Sequence, residues 1–367
     1  MHSQPTLSLI IPAYQAEQTI IRALQSASSW KGDGLEIIVV DDGSTDTTSS
    51  LIEEAASKDA RIIPLAQENR GRSAARNMGI SHAKAKWIMF LDSDDYLMPG
   101  WDDAVKEAAN EESDLVIFAY QRGYAQTPLE EQMPVGSAVK AACIDSSEMM
   151  RFLIDGSFPS AIPDPRQYEW NSCWARLYRN DTLQSVAALT EGEAFPLGIR
   201  FSEDRIFNLE FALNAQRPTI CFFSNVIYYW DLAASSTVSS SSLQDAHSIL
   251  SFSSAVDGLC LDKESAKKLL ATETLARFRK SAYLPLLQLP EAAKTWNHLL
   301  SLQKISEAIP FIPQVEEGKL WFNRLPAFGL VKGFRFLALL YWHIIYKLAD
   351  IAKGPQSKKR QGSCSQS

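Results

Sequence analysis

Leu7 to Tyr14, "LSLIIPAY", is a short apolar run that ends in polar letters, and it predicts a buried strand. "AEQTIIRALQSASSW" follows, with Ile20, Ile21, Leu24 and Ala27 at the spacing of an amphipathic helix. The alternation then repeats. "LEIIVVDDGSTD" predicts a second buried strand running into a polar turn, "TTSSLIEEAAS" a helix and "RIIPLA" a third strand. "GRSAARNMGISHAKA" predicts a helix, "KWIMFLDSDDY" a fourth strand, "WDDAVKEAANEES" a helix and "DLVIFAYQ" a fifth strand. Strands alternating with helices over about the first 120 residues imply βαβ units and an α/β fold with a mainly parallel sheet.

In such sheets ligands bind beyond the carboxyl ends of the strands. Three of the strands end there in polar letters: Tyr14-Gln15, Asp41-Asp42 and Asp92-Ser93-Asp94. The pattern thus carries acids that are far apart in sequence to one edge of the sheet. Beyond the fifth strand, residues 123–139 read as a loop or hairpin, and residues 146–230 mix helical stretches with the Pro- and Trp-rich "IPDPRQYEWNSCWARLYRN". Ser202 to Ala215 predicts a helix and "TICFFSNVIYYW" a strand. "AASSTVSSSSLQD" is low in complexity and reads as a loop. Residues 245–305 read as helical.

Composition narrows the function classes. Of 367 residues, 46% are hydrophobic and 22% charged, which suits a folded chain. A net charge of −7 argues against nonspecific nucleic-acid binding. Five widely spaced cysteines without a CxxC pair argue for a reduced setting and against a disulfide framework or a zinc site. The first residues do not have the pattern of a signal peptide. The longest apolar stretch near the C-terminus, Phe336 to Tyr346, has eleven residues and is too short to span a bilayer.

A DxD spacing in a turn allows two carboxylates to share one hard divalent cation such as Mg²⁺ or Mn²⁺. An acidic turn is equally able to cap the next helix. Two acidic strand ends on one sheet edge favour the first reading. "VVDDGSTD" alone is ambiguous, because Ser44 or Asp46 suits a helix cap. The chain has neither a GxGxxG dinucleotide fingerprint nor a GxxxxGK[ST] phosphate loop, which argues against a Rossmann dehydrogenase and a P-loop NTPase.

Four segments in order, "LSLIIPAYQAEQTIIRALQS", "EIIVVDDGSTDTT", "ENRGRSAARNMGISHAKAKWIMFLDSDDYLMPG" and "FSEDRIFNLEF", resemble the family 2 glycosyltransferases over residues 5–230. The resemblance implies a GT-A type nucleotide-diphospho-sugar transferase fold, a divalent metal, and inversion at the anomeric carbon. It implies that Pro12, Ala13 and Tyr14 line the base and ribose pocket, with Glu17 in the same loop. Gln15 stands where many relatives have Asn. Asp42 resembles the residue that accepts the uracil imide N–H, and Asp41 a supporting group. Arg76 and Asn77 fall near the pyrophosphate side, with Arg76 either a direct ligand or a structural ion pair.

Asp94 resembles the direct metal ligand. Asp92 resembles a residue facing the ribose or reaching the metal through water, with Ser93 between them, and Asp95 is assigned to the turn. In "SED", Asp204 resembles the general base that deprotonates an acceptor hydroxyl, supported by Glu203. Its bland alternative is a capped helix start with favourable charges. "EWNSCWARLYR" matches the family's W-x-[KR]-[LI]-Y stretch, which makes Trp170 and Trp174 either an acceptor-sugar platform or core.

The expected layout is a catalytic domain over 1–232, with its donor half at 1–122 and its acceptor half at 123–232. A helical region at 245–324 and an amphipathic helix with a basic tail at 325–367 follow. The last segment, with Lys and Arg beside apolar and aromatic residues, predicts either peripheral contact with anionic lipid or packing on the protein. The expected protein is cytoplasmic, at the inner face of the membrane, moving a sugar from a UDP-sugar to a glycan, free or lipid-linked, of a surface polysaccharide. The alternatives are transfer to a polyprenyl phosphate and a non-catalytic nucleotide-sugar-binding module.

Overall fold

A computed structural model describes residues 5–123, 137–199, 201–217, 219–232, 243–281, 288–314 and 337–343. The first part of the chain builds β1 (Leu7–Ala13), α1 (Ile20–Ser28), β2 (Leu35–Asp41), α2 (Thr48–Lys58), β3 (Ile62–Ala66), α3 (Arg72–His82), β4 (Trp87–Phe90), β5 (Tyr96–Leu97), α4 (Trp101–Ala108) and β6 (Leu115–Gly123). It continues through β7 (Lys140–Asp145), α5 (Ser146–Asp155), β8 (Arg176–Arg179), α6 (Asn180–Leu189), α7 (Glu203–Leu213) and β9 (Thr219–Asp231).

These strands form one mixed sheet in the order β3-β2-β1-β4-β8-β6-β9-β5, with β7 also on β9. β1 to β4, β6 and β9 run in one sense, and β5, β7 and β8 run against it. The expected parallel arrangement holds for β1 to β4 and for β6 with β9, while the other four of the eight strand pairs are antiparallel. Every residue of β1, β2 and β4 is buried, because helices cover both faces; this is why these strands read as continuous apolar runs. Proline is confined to places where no ladder bond is lost. Pro64 lies in the edge strand β3. Pro12 lies past Ile10–Phe90, the last β1–β4 pair.

The fourth strand is shorter than its sequence predicts. The ladder stops at Phe90, the chain turns with Asp95 N–H donating to the Asp92 carbonyl at 3.0 Å, and Tyr96–Leu97 re-enters the sheet against β9. The acidic residues therefore sit in a turn between two strands. Below it, Phe90 meets Phe195 and Phe207 edge-on at 5.2 and 6.0 Å, and Phe195 stacks on Phe207 at 3.8 Å. This buried aromatic cluster fixes the start of α7 close to the end of β4. Gly79 allows α3 to approach β1, since a Cβ there would lie 2.4 Å from Ile10 Cγ2.

By its contacts the chain divides into Met1–Leu153 with Phe158–Thr237, and Ile154–Ser157 with Val238–Ser367. The second unit contains α8 (Leu243–Gly258), α9 (Lys263–Lys280), α10 (Leu289–Leu299) and α11 (Gln303–Ala308). Its helices pack through Phe278, which meets Trp296 and Trp342 at 5.6 and 5.9 Å. Trp296 Nε1 donates to Ser281 Oγ at 2.9 Å. Residues 337–343 are helical, with Leu339 and Trp342 buried. Thus the described part of the predicted amphipathic helix turns apolar residues into its own unit. The rest of 325–367, including the basic tail, lies outside the described residues, as do most of the predicted loops at 123–139 and 233–245.

Candidate active site

Parallel strands put the ends of β1, β2 and β4 on one edge, and the loops there are bound to one another. Gln15, at φ 50°, accepts from Thr45 N–H at 2.8 Å through Oε1 and donates to Thr45 Oγ1 at 3.1 Å through Nε2. Glu17 Oε2 accepts from Thr47 Oγ1 at 2.8 Å. Tyr14 beside them is exposed. Asp41 accepts from Ser44 N–H at 3.0 Å and shapes the turn. In that turn Gly43 has φ +73°, and a Cβ would fall 2.8 Å from Asn69 N. Asp42 is buried. Its Oδ1 accepts from Gln67 Nε2 at 2.6 Å and Arg70 N–H at 2.9 Å, and its Oδ2 from Gly71 N–H at 2.8 Å. These bonds fix the carboxylate and tie β2 to the start of α3.

Arg76 of α3 is 1% exposed and joins the two acidic segments. Its Nη2 donates to Asp92 Oδ1 at 2.8 Å and its Nη1 to Asp204 Oδ1 at 2.8 Å. Burial alone would lower the pKa of this guanidinium. Asp204, Asp92 and Glu203 outweigh it and hold Arg76 well above its ordinary value. The sequence left Arg76 as a direct ligand or a structural ion pair; the structure pairs it with Asp92 and Asp204, and with Glu203 at 3.7 Å. Asn77, expected near the pyrophosphate, instead exchanges two 2.8 Å bonds with the Phe195 backbone.

Asp204 Oδ2 also accepts from Cys173 N–H at 3.3 Å. Glu203 is buried and ion-paired with Arg72. Burial, and then Asp204, push its carboxyl above the usual range. Ser202 precedes them at φ 62° and makes no side-chain cap, so the Ser-capped helix start is not what forms.

In the DxD turn the three acids differ. Asp95 is buried, with Oδ2 accepting from Tyr228 Oη at 2.6 Å and Oδ1 from Asp231 N–H at 2.9 Å. Asp94 and Ser93 are half-buried. Burial, then the adjacent Asp92, push the Asp94 carboxyl up to about 6. Asp92, Asp94 and Asp95 each bring a carboxylate oxygen within 4.8 Å of the others. Such a hard oxygen set fits Mg²⁺ or Mn²⁺. With Asp95 occupied by Tyr228 and Asp231, Asp94 and Asp92 are the residues suited to hold the ion. A cation there would favour the ionised carboxylate against burial and against the charge of Asp92.

Trp170 and Trp174 are corrected as platform candidates. Trp170 is buried against Phe152 and Phe222, with Nε1 on the Pro165 carbonyl at 2.7 Å. Trp174 is buried and stacked on Tyr228 at 4.5 Å. Aromatic neighbours from distant segments take up both rings, so they form core.

Sequence reasoning missed Arg22, Arg72, Tyr228 and Asp231. Arg22 of α1 donates to Asp231 Oδ2 at 2.7 Å and to the Asp94 carbonyl at 2.8 Å. A strand-terminal acid was the signal available for Asp231, which ends β9 as Asp41 ends β2.

The comparisons agree with this geometry. The family model for glycosyl transferase family 2 matches residues 8–179, and that segment belongs to the family. EpsH of Bacillus subtilis (strain 168) is 28% identical over 236 residues, 64% of this chain and 63% of EpsH. The Escherichia coli UDP-Glc:alpha-D-GlcNAc-diphosphoundecaprenol beta-1,3-glucosyltransferase WfaP is 37% identical over 125 residues, 33% of this chain and 47% of WfaP. The chain therefore spans less than two thirds of either relative. Among solved structures, S. aureus TarS 1–349 in complex with UDP-GlcNAc superposes with a TM-score of 0.60 at 19% identity, covering 94% of this chain and 92% of that one. The fold is of the GT-A type. Among the described residues, no helix is long and apolar enough to cross a membrane.

Proposed function

We propose that this chain is an inverting, metal-dependent glycosyltransferase that moves a sugar from a UDP-sugar to a hydroxyl of a glycan in surface-polysaccharide assembly. The observation that carries the reading is the Arg76 bridge, which brings the DxD carboxylate Asp92 and the α7 carboxylate Asp204 to one guanidinium from 128 residues apart in the case of Asp204. A carboxylate of the DxD turn and one of α7 thus meet at one guanidinium, which supports a single site for both proposed roles.

Asp94 and Asp92 would hold Mn²⁺ or Mg²⁺. When bound, the ion neutralises the diphosphate and the charge it gains on leaving. Pro12, Ala13, Tyr14, Glu17 and Asp42 border the base and ribose side. Asp204 reaches the site from α7 rather than from the DxD turn, and Arg76 lies between it and Asp92, so base and metal ligand are separate groups, as attack from the face opposite the leaving group requires. Its Oδ2, the less tightly bonded oxygen, takes the proton of the acceptor hydroxyl. The acceptor oxygen then bonds to C1 as the bond from C1 to the diphosphate breaks, which inverts the anomeric carbon. The relative WfaP, named for a diphosphoundecaprenol-linked acceptor, supports a lipid-linked glycan as acceptor.

A panel of nucleotide sugars incubated with Mn²⁺ or EDTA tests this. Release of UDP only with the metal, and a product of inverted configuration by NMR, is expected. Nucleotide binding with no release from any donor would favour the non-catalytic module.

A further inference from the structure

Cys143 and Cys221 lie outside the site described above and were not expected to meet. They are directly opposed on the antiparallel pair β7–β9, so their side chains leave the same face of the sheet. Opposed residues on antiparallel strands have Cα atoms about 4.5–5.5 Å apart, within the range a disulfide spans. The two Sγ atoms are 2.9 Å apart as thiols. Cys143 is exposed, and Cys221 is buried behind it. Glu111 is the acidic neighbour: its Oε2 lies 3.5 Å from Cys221 Sγ and accepts from Lys140 Nζ at 2.7 Å.

We propose that Cys143 and Cys221 are an oxidation site, forming an intramolecular disulfide that staples β7 to β9 when the chain meets a peroxide. The exposed Cys143 reacts first: its sulfur takes one oxygen from the peroxide, giving a sulfenic acid and, from hydrogen peroxide, water. The Cys221 sulfur then attacks Cys143 Sγ, the S–S bond forms, and the hydroxyl leaves as water with the Cys221 proton. Two thiols and one peroxide give one disulfide and two waters. Burial, then Cys143 and Glu111, push the Cys221 thiol up to about 12, so it is not the thiol that meets the peroxide first. The bond would lie in β9, the strand whose other end carries Tyr228 and Asp231 against the DxD turn. An exposed, partly accessible disulfide of this kind is reducible by small thiols.

The test uses the full chain, treated with stoichiometric hydrogen peroxide, alkylated and mapped by peptide mass. A Cys143–Cys221 cross-linked peptide is expected, about 2 Da lighter than its parts and reversed by dithiothreitol. Exposed Cys260 stays alkylatable and serves as the control. Cys143→Ser and Cys221→Ala should each remove the cross-link while leaving the fold by circular dichroism. Cross-linking is also expected to raise Tm by about 5–10 °C. Full alkylation of both cysteines after treatment, or oxidation of Cys143 to sulfinic acid with Cys221 still free, would overturn the proposal.

Discussion

Asp94 and Asp95 are sequence neighbours with different surroundings, and substitutions should separate them. Asp94→Ala removes the half-buried carboxylate and should abolish Mn²⁺-dependent UDP binding by isothermal titration calorimetry while leaving thermal stability intact. Undiminished binding would refute its assignment as a ligand. Asp95 serves the turn instead. Tyr228→Phe takes away the 2.6 Å bond to its buried Oδ2, which should cost about 1–3 kcal/mol in urea unfolding. A smaller loss would mean that Asp95 is anchored by Asp231 N–H alone. Residue types at this scale were partly legible. The DxD and the ED stand in the sequence as motifs, and Asp95 as a turn group followed from its position. Arg22, Tyr228 and Asp231 did not follow, because their partners are 72 to 209 residues away. Trp170 and Trp174 were ambiguous for the same reason. Only the fold brings Phe152, Phe222 and Tyr228 onto their rings.

Elements were legible where burial on both faces left long apolar runs, as in β1, β2 and β6. They were illegible where a strand has two to four residues and takes its order from its neighbours, as in β5 and β8. The link between α1 and β3 makes a quantitative case. Arg61 donates to the Ser28 and Trp30 carbonyls at 2.9 and 2.8 Å and holds Asp59 at 2.8 Å. Its hydrogen bonds lower Asp59 to about 2 against the opposing effect of burial. A carboxyl whose folded pKa is depressed adds stability above its unfolded pKa and loses it as pH falls through the folded value. The window is therefore about pH 4 down to 2, and for this partly exposed pair, screened by solvent, the contribution is about 1 kcal/mol. Arg61→Met should lower stability at pH 7 by at least that much and flatten the acid limb of the stability–pH curve between those values. Urea titrations at pH 2.5, 4 and 7 measure it; an unchanged acid limb would contradict the assignment.

At the scale of the molecule, the alternation of strand and helix and the strand-end rule were enough to bring the ends of β1, β2 and β4 to one edge. The position of α7 depended on the Phe90–Phe195–Phe207 cluster, which no local pattern announces. Within 337–343, Leu339 and Trp342 are buried while Leu337 is exposed. Lys358, Lys359 and Arg360 carry the expected attraction. At about 1 kcal/mol each, replacing all three with Ala should weaken binding to vesicles rich in anionic lipid by about 100-fold. Binding that is unchanged at low salt would remove the tail from the account.

The most direct test of the two-sided site is Asp204→Asn, followed by UDP-sugar binding with Mn²⁺ and by transfer to acceptor on the same preparation. The account predicts donor affinity within about twofold of the parent and transfer reduced by about 10³-fold, the loss of a general base. Transfer within tenfold of the parent would contradict it and place the base elsewhere.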